Sequence, residues 1–342
     1  AYNLETKETR NLTAYNKGYD NHPAFSSKGQ LAWLQMKREG YEADKNDLIV
    51  LRDGSPVNIT KDWDGTVNSF VWQDKGNKIF FVAPIDGTVQ LFEIKTDGSA
   101  PKQITEGQFD VNGIVGQVGN SMVVSRRDMN HAVELYVVDL KTGSMEQLTR
   151  ANDAIYNSLT LGDIRKRMVK TTDGKDMLTW VIYPPNFDPS KKYPTLLYCQ
   201  GGPQGALSQF YSFRWNFQLM AANGYIVVAP NRRGMPGHGV AWNEQISKDY
   251  GGQNIQDYLS AIDDIAKEPY VDKNRLGAIG ASYGGYSVFY LAGVHNKRFK
   301  SFIAHDGLFN QRSMYGTTEE MFFVNWDLGG PYWDKNNAAA QK

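Results

Sequence analysis

Arg275-Leu-Gly-Ala-Ile-Gly280-Ala281-Ser282-Tyr283-Gly284-Gly-Tyr286-Ser-Val-Phe-Tyr-Leu-Ala292 is the stretch on which the reading of this chain turns. It opens with a short apolar run, Leu276 to Ile279, of the kind that fills a buried parallel strand. It closes on an apolar segment from Tyr286 to Ala292 that reads as helix. Between them, Gly280-Ala-Ser-Tyr-Gly284 fits the pattern Gly-x-Ser-x-Gly. Alone the pentapeptide says little, since roughly one chain in six of this size and composition would carry it by chance. Its setting singles out Ser282 as a nucleophile, because strand, sharp turn and helix in that order hold a serine hydroxyl clear of the backbone. Such a turn forces the serine into a strained conformation. Glycines are wanted at 280 and 284, where a Cβ would collide as strand and helix cross. The helix that follows aims its first N–H groups at the place where negative charge develops.

Moving outward, Gln200-Gly201-Gly202-Pro203 follows the apolar strand Thr195–Cys199, about eighty residues before the serine. An α/β-hydrolase places its oxyanion loop there. The N–H of Gly201, the N–H of Tyr283 and the side-chain amide of Gln200 are the candidate donors, each removable at about 3–4 kcal/mol of transition-state stabilisation. Further short apolar runs lie at Met177–Tyr183, Gly224–Pro230 and Phe302–His305. A helical stretch from Ile255 to Lys267 places Ile255, Leu259, Ile262 and Ile265 on one face. Strands alternating with helices imply a doubly wound α/β sheet. Asn231-Arg-Arg-Gly234 through Gly239 follows one of these strands. A phosphate cradle is one reading, but no Walker lysine accompanies it, and a structural loop supporting the site is the better one.

The first 150 residues have another grammar. Three alternating apolar segments each precede a turn and a polar–apolar–Thr stop: Asp47–Leu51 with Asn58-Ile-Thr60, Gln90–Ile94 with Gln103-Ile-Thr105, and Glu134–Val138 with Gln147-Leu-Thr149. The threonines are 45 and 44 residues apart, and Leu48, Leu91 and Leu135 step by 43 and 44. A period near 45 with several strands per unit is the signature of β-propeller blades, against the alternative of a sandwich with evenly spaced turns. The expected fold is therefore about three blades of a partial β-propeller followed by a partial α/β-hydrolase domain. The expected domains are 1–155 and 156–342. Three blades cannot close a ring, so more are expected upstream.

Composition narrows the function classes. Hydrophobic residues make up 41% and charged ones 22%, which suits a packed core. Lys+Arg and Asp+Glu both number 37, so there is no electrostatic case for nucleic acid or an anionic membrane. One cysteine, Cys199, excludes an internal disulfide and a cysteine-based metal site, and no metal or cofactor is expected. No run of about 18 apolar residues is present to span a membrane. Any signal peptide would lie upstream of Ala1.

Taken together, Gly280-Ala-Ser-Tyr-Gly-Gly-Tyr286, Gln200-Gly-Gly-Pro203, Asn231-Arg-Arg-Gly234, Tyr270–Arg275 and Tyr315-Gly-Thr-Thr-Glu-Glu320 resemble the prolyl oligopeptidase family of serine peptidases. With Met36–Asp44 in a blade, the chain looks most like its acylaminoacyl-peptidase and dipeptidyl-peptidase V branch. The resemblance covers essentially the whole chain. It implies a propeller capping the hydrolase domain, with a peptide site in the cavity between them. It also implies release of dipeptides or acyl-amino acids from peptide N-termini through an acyl-enzyme on Ser282. By position, Tyr283, Tyr315, Phe322 and Phe323 are candidates for an apolar substrate pocket, with core packing as the alternative. Glu42 is a candidate for holding a substrate α-amine, with solvated surface charge as the alternative. The family orders its triad Ser, Asp, His, with acid and base well past the serine. Only 60 residues follow Ser282 here, and neither His295 nor His305 stands where the family places its base. The expectation is an inactive internal segment of a polypeptide about twice as long, whose remainder supplies Asp and His. Asp306 is a weaker candidate acid. A homodimer fits the family, and its habit favours periplasm over cytoplasm. An esterase or lipase on the same elbow, and a non-catalytic propeller-based binding protein with an inactive hydrolase domain, remain open alternatives.

Overall fold

The computed structural model describes residues 1–341. Its first part is three four-stranded antiparallel meanders. They are β1–β4 (Asp20–Phe25, Leu31–Gln35, Asp47–Arg52, Ser55–Asn58), β5–β8 (Ser69–Trp72, Lys78–Ile85, Thr88–Lys95, Lys102–Gln103) and β9–β12 (Asp110–Val118, Ser121–Asp128, His131–Asp139, Met145–Gln147). The second and third touch edge to edge through one parallel pair, Val89 with Asp110.

The threonine stops have a structural cause. Thr60 Oγ1 accepts from the Leu48 N–H at 2.9 Å and donates to Asp47 Oδ1 at 3.0 Å. Thr105 accepts from Leu91 N–H at 2.9 Å and donates to Gln90 Oε1 at 2.7 Å. Thr149 accepts from Leu135 N–H at 2.9 Å and donates to the Glu134 carboxylate. Each hydroxyl thus latches the outer end of a meander to its third strand. A hydrogen bond of this kind contributes about 1 kcal/mol, and leaving its buried partner unmade costs more.

Alternation on β6 stacks the meanders. Ile79, Phe81 and Ala83 pack with Leu34, Leu48 and Val50 of the first meander. Phe80 and Val82 face the other way, toward Val111, Met122 and Val124 of the third. The period-2 geometry of a strand makes both faces apolar when both are covered.

After a short helix α1 (Asp153–Tyr156), six strands form the second part: β13 (Ile164–Lys170), β14 (Asp176–Ile182), β15 (Tyr193–Cys199), β16 (Ile226–Pro230), β17 (Val271–Ala281) and β18 (Ser301–His305). Their order is β13-β14-β16-β15-β17-β18, so β15 lies beside β17 although β16 intervenes in sequence. The last four strands are parallel; β13 and β14 are antiparallel additions at one edge. Helices α4 (Gln253–Ile265) and α5 (Tyr283–Val294) cover one face, where Ile255, Leu259, Ile262 and Ile265 join Leu197, Val228 and Val288 in one core. Helix α2 (Phe217–Ala222) covers the other, where Trp180, Tyr198, Val227 and Ile279 meet Met129 of the third meander. Three-residue and four-residue spacing on α4 therefore buries the expected face. Short helices α3 (Val240–Glu244), α6 (Gln311–Thr317), α7 (Met321–Asp327) and α8 (Ala338–Gln341) complete the chain.

Polar contacts tie the two parts together. Asp110, fully buried, accepts from Ser208 Oγ at 2.7 Å and Gln209 N–H at 3.1 Å as well as from Val89 N–H. Burial pushes its carboxyl up, against the pull of these donors. On the first meander, Tyr41 stacks on Trp326 at 4.6 Å, and its hydroxyl accepts from Gln204 Nε2.

Candidate active site

The turn from β17 into α5 places Ser282 at φ 56°, ψ −123°. That is a left-handed conformation an L-residue rarely holds, costing about 1–3 kcal/mol. Its N–H donates to His305 O at 3.0 Å, tying the turn to the end of β18. The serine is exposed and its hydroxyl caps no helical N–H. A Cβ on Gly280 would lie 2.6 Å from Cys199 O, and one on Gly284 2.0 Å from the same atom. The close approach is thus to β15 as much as between strand and helix. A third glycine is required as well: a Cβ on Gly285 would stand 2.6 Å from Gly307 Cα. Cys199 is buried behind the turn, and burial raises its thiol, so it serves as packing.

Because β15 neighbours β17, the loop leaving Cys199 arrives beside Ser282. A Cβ on Gly201 would lie 3.1 Å from Ala281 O and 3.6 Å from Ser282 Cβ. The backbone of Gly201 therefore runs against the serine, outside the strand ladder. Tyr283 N–H, in the first turn of α5, has no intrahelical acceptor. Gln200 has a buried, unpartnered Oε1. Gln200 and Gly201 thus lie on the loop beside Ser282, and Tyr283 follows the serine in the chain.

Ser282, Ala281, Gln200, Gly201 and Gly202 form the floor of a cavity of about 600 Å³. Tyr198, Phe210 and Trp215 supply an aromatic wall. Asn68, Val89 and Arg127 reach in from the second and third meanders, so both parts of the protein build it. Its volume and mixed lining suit a small organic or peptide ligand. No sequence signal marked Arg127, Arg214 or Trp215, which line it from a distant strand and a loop without motif.

The suggested pocket residues lie elsewhere, and that expectation is corrected. The Tyr283 side chain is fully buried beneath the turn, donating to Tyr250 O at 2.9 Å and accepting from Asn254 Nδ2. Its backbone faces the site; its ring does not. Tyr315 is buried on α6, donates to Asn325 Oδ1 at 2.9 Å, and lines a separate hollow of about 330 Å³ near the start of α4. Phe322 and Phe323 sit on α7, and neither lines the Ser282 cavity. Glu42 is exposed; partial burial and then the charge of Glu320 raise its carboxyl. The physical reason is that the chain leaves the sheet edge after β18 and carries α7 toward the first meander, where Trp326 meets Tyr41.

The histidines do not meet Ser282 either. His305 Nε2 pairs with Asp306 Oδ2 at 2.9 Å, both exposed, and Trp215 packs against the imidazole at 5.9 Å. His295 Nδ1 accepts from Phe299 N–H at the end of α5. Among the described residues, no histidine hydrogen-bonds to the Ser282 hydroxyl. The loop after β16 is structural in the way its sequence suggested. Arg233, fully buried, pairs with Asp173 Oδ1 at 2.7 Å and Asp257 Oδ2 at 3.2 Å, with its guanidinium 4.3 Å from the Trp242 ring centre. The Arg233 guanidinium holds Asp173 well below the usual carboxylate range.

Comparison with known proteins bears on this geometry. The pattern of the prolyl oligopeptidase family matches residues 211–341, and that of the dipeptidyl peptidase IV N-terminal region matches residues 41–178. The chain is 49% identical along all of its length to dipeptidyl-peptidase 5 of Porphyromonas gingivalis, covering 50% of that protein. It is 49% identical to the protein of the same name from Porphyromonas endodontalis, again covering 50%. The chain thus spans about half the length of the curated relatives it matches. Among solved structures it is similar to an acylaminoacyl peptidase of Pyrococcus horikoshii, with TM-score 0.81 and 23% identity over 94% of this chain and 50% of that one. It is also similar to dipeptidyl peptidase 4 of Porphyromonas gingivalis, with TM-score 0.66 and 22% identity over 84% and 42%. These likenesses show the fold, propeller-type β structure followed by an α/β-hydrolase sheet.

Proposed function

This chain belongs to the prolyl oligopeptidase family of serine peptidases, and from that premise we propose that Ser282 is the nucleophile of a peptidase acting on short peptides. The observation that carries the reading is Ser282 at φ 56° with the Gly201 backbone packed against it on the floor of a cavity. Ser282 Oγ attacks the scissile carbonyl carbon, and its proton passes to a base. The carbonyl oxygen, now negative, is received by the N–H groups of Gly201 and Tyr283, with Gln200 beside them. Collapse breaks the C–N bond, the proton goes to the departing amine, and water then hydrolyses the acyl-serine ester.

The acid and base come, on this reading, from the remainder of the same polypeptide, since among the described residues no histidine hydrogen-bonds to the Ser282 hydroxyl. The relatives named dipeptidyl-peptidase 5 favour release of dipeptides over acyl-amino acids as the activity. Residues 1–155 form the propeller part, as three blades, and 156–342 the hydrolase part. The blades narrow access to the cavity, which favours short or unfolded peptides.

A fluorophosphonate probe applied to the complete polypeptide tests the nucleophile. Wild type labels, and Ser282→Ala does not; labelling that persists in the alanine variant removes Ser282 from the reaction. Chromogenic dipeptidyl and acyl-aminoacyl substrates then separate the two activities.

A further inference from the structure

Arg232 is fully buried, yet none of the described carboxylates pairs with it. Its neighbour Arg233 takes two. Burying an ion costs several kcal/mol unless its donors are met, so what Arg232 touches instead is informative. Its Nε donates to Tyr258 Oη at 3.0 Å and its Nη1 to Arg233 O at 2.7 Å. Its other two bonds go to the loop beside the serine: Nη1 to Pro203 O at 2.8 Å and Nη2 to Gln200 O at 3.2 Å. The guanidinium carbon also lies 4.9 Å from the centre of the Tyr283 ring. One cation therefore contacts both segments whose N–H groups surround Ser282. Gly234 makes room for it, since a Cβ there would stand 2.9 Å from Nη1.

The bond to Gln200 O has a specific consequence. Gln200 C=O and Gly201 N–H belong to one planar trans peptide, so the two groups point in opposite directions. Holding the oxygen on the buried side turns the Gly201 N–H away from Arg232, on a residue that itself packs against Ser282. A charged donor on the carbonyl also polarises the amide, strengthening its N–H as a donor. We infer that Arg232 is a positioning residue for the oxyanion hole. It orients and polarises the Gly201 amide, and it braces Tyr283, without touching substrate. The pairing of Arg233 with Asp173 and Asp257 is what a purely structural arginine looks like. Arg232 is left without a counter-charge, so its positive field extends to the place where the oxyanion forms.

The inference rests on the reading of Ser282 as nucleophile, and one set of variants separates the two. In the complete polypeptide, Arg232→Lys keeps the cation but cannot reach both carbonyls, and Arg232→Gln removes the charge while keeping an amide donor. Both are expected to lower kcat by about 10–100-fold, below the loss for deleting a whole oxyanion donor. KM stays within about twofold, because ground-state binding is untouched. Affinity for a peptide aldehyde, whose serine adduct carries the tetrahedral oxygen, falls in step with kcat/KM. Tyr258→Phe removes an Arg232 partner on the core side and is expected to leave kcat unchanged. A folded Lys or Gln variant with unaltered kcat and aldehyde affinity overturns the inference. So does a Tyr258→Phe loss as large as theirs, which would point to core packing. Activity that survives Ser282→Ala instead overturns the nucleophile itself.

Discussion

The two flanks of Ser282 are built differently. On the β15 flank the loop 200–204 lies between the middle of the sheet and the first meander, held by Arg232 from below and by Tyr41 at Gln204. On the β18 flank, the outermost strand among the described residues, His305 and Asp306 are exposed and paired with each other. The flank that would stabilise negative charge is thus cross-braced by buried side chains, while the β18 flank carries, among the described residues, an exposed ion pair. Oxyanion stabilisation needs preorganised dipoles in a place shielded from water. A loop held from its buried side by Arg232 provides that.

That contrast can be tested by perturbing each flank. The largest effect is expected from Gly284→Ala, whose Cβ would meet the Cys199 carbonyl oxygen at 2.0 Å and its carbon at 2.9 Å, both rigid backbone. A loss of more than about 4 kcal/mol and no probe labelling are expected. Thermal melting near the wild-type value would break the account of the elbow. Next, Asp257→Ala leaves Arg233 buried with Asp173 as its remaining carboxylate, which should cost about 3–5 kcal/mol in denaturant unfolding. A loss under about 1 kcal/mol would show that the loop after β16 is not braced this way.

Asp327, beyond the edge strand, should give a smaller and pH-dependent effect. It is buried against Tyr250, whose hydroxyl donates to Oδ2 at 2.7 Å, and burial raises its carboxyl to about 6. The unfolded chain ionises this group near pH 4, so wild-type stability falls as pH rises from about 4 to about 6 and stays reduced above that. Asp327→Asn keeps the acceptor and removes the ionisation. It is expected to be more stable than wild type by up to about 3 kcal/mol above pH 6, with the difference vanishing below pH 4. Unfolding midpoints that differ equally at pH 4 and pH 8 would contradict this. Smallest of all, His305→Ala should change stability by no more than about 0.5 kcal/mol, as expected for an exposed pair. It should also leave fluorophosphonate labelling of the complete polypeptide intact; loss of labelling would place the base on the β18 flank.

Much of the framework was legible because it is local. The threonine stops at 60, 105 and 149 recur because each hydroxyl answers the same N–H one third-strand away. The helix face Ile255, Leu259, Ile262 and Ile265 follows from 3.6-residue periodicity. Gly280 and Gly284 were readable from the geometry of a tight turn, although the atom they avoid, Cys199 O, was not. The pocket was misread for the opposite reason. Tyr315, Phe322 and Phe323 are close to Ser282 in sequence and suitably aromatic, but no local pattern states where a chain goes after an edge strand.

By itself the sequence determined the strained serine, its glycines and the repeat of the meanders, since each depends on residues a few positions apart or at a regular spacing. Tertiary structure alone decided that β15 lies between β16 and β17. That order brings Gly201 to Ser282, lets Arg232 reach beneath both, and makes Arg127 of a distant meander part of the cavity wall. Strand order is set by burying whole faces of the sheet at once, a sum over long-range contacts that no short stretch of residues specifies.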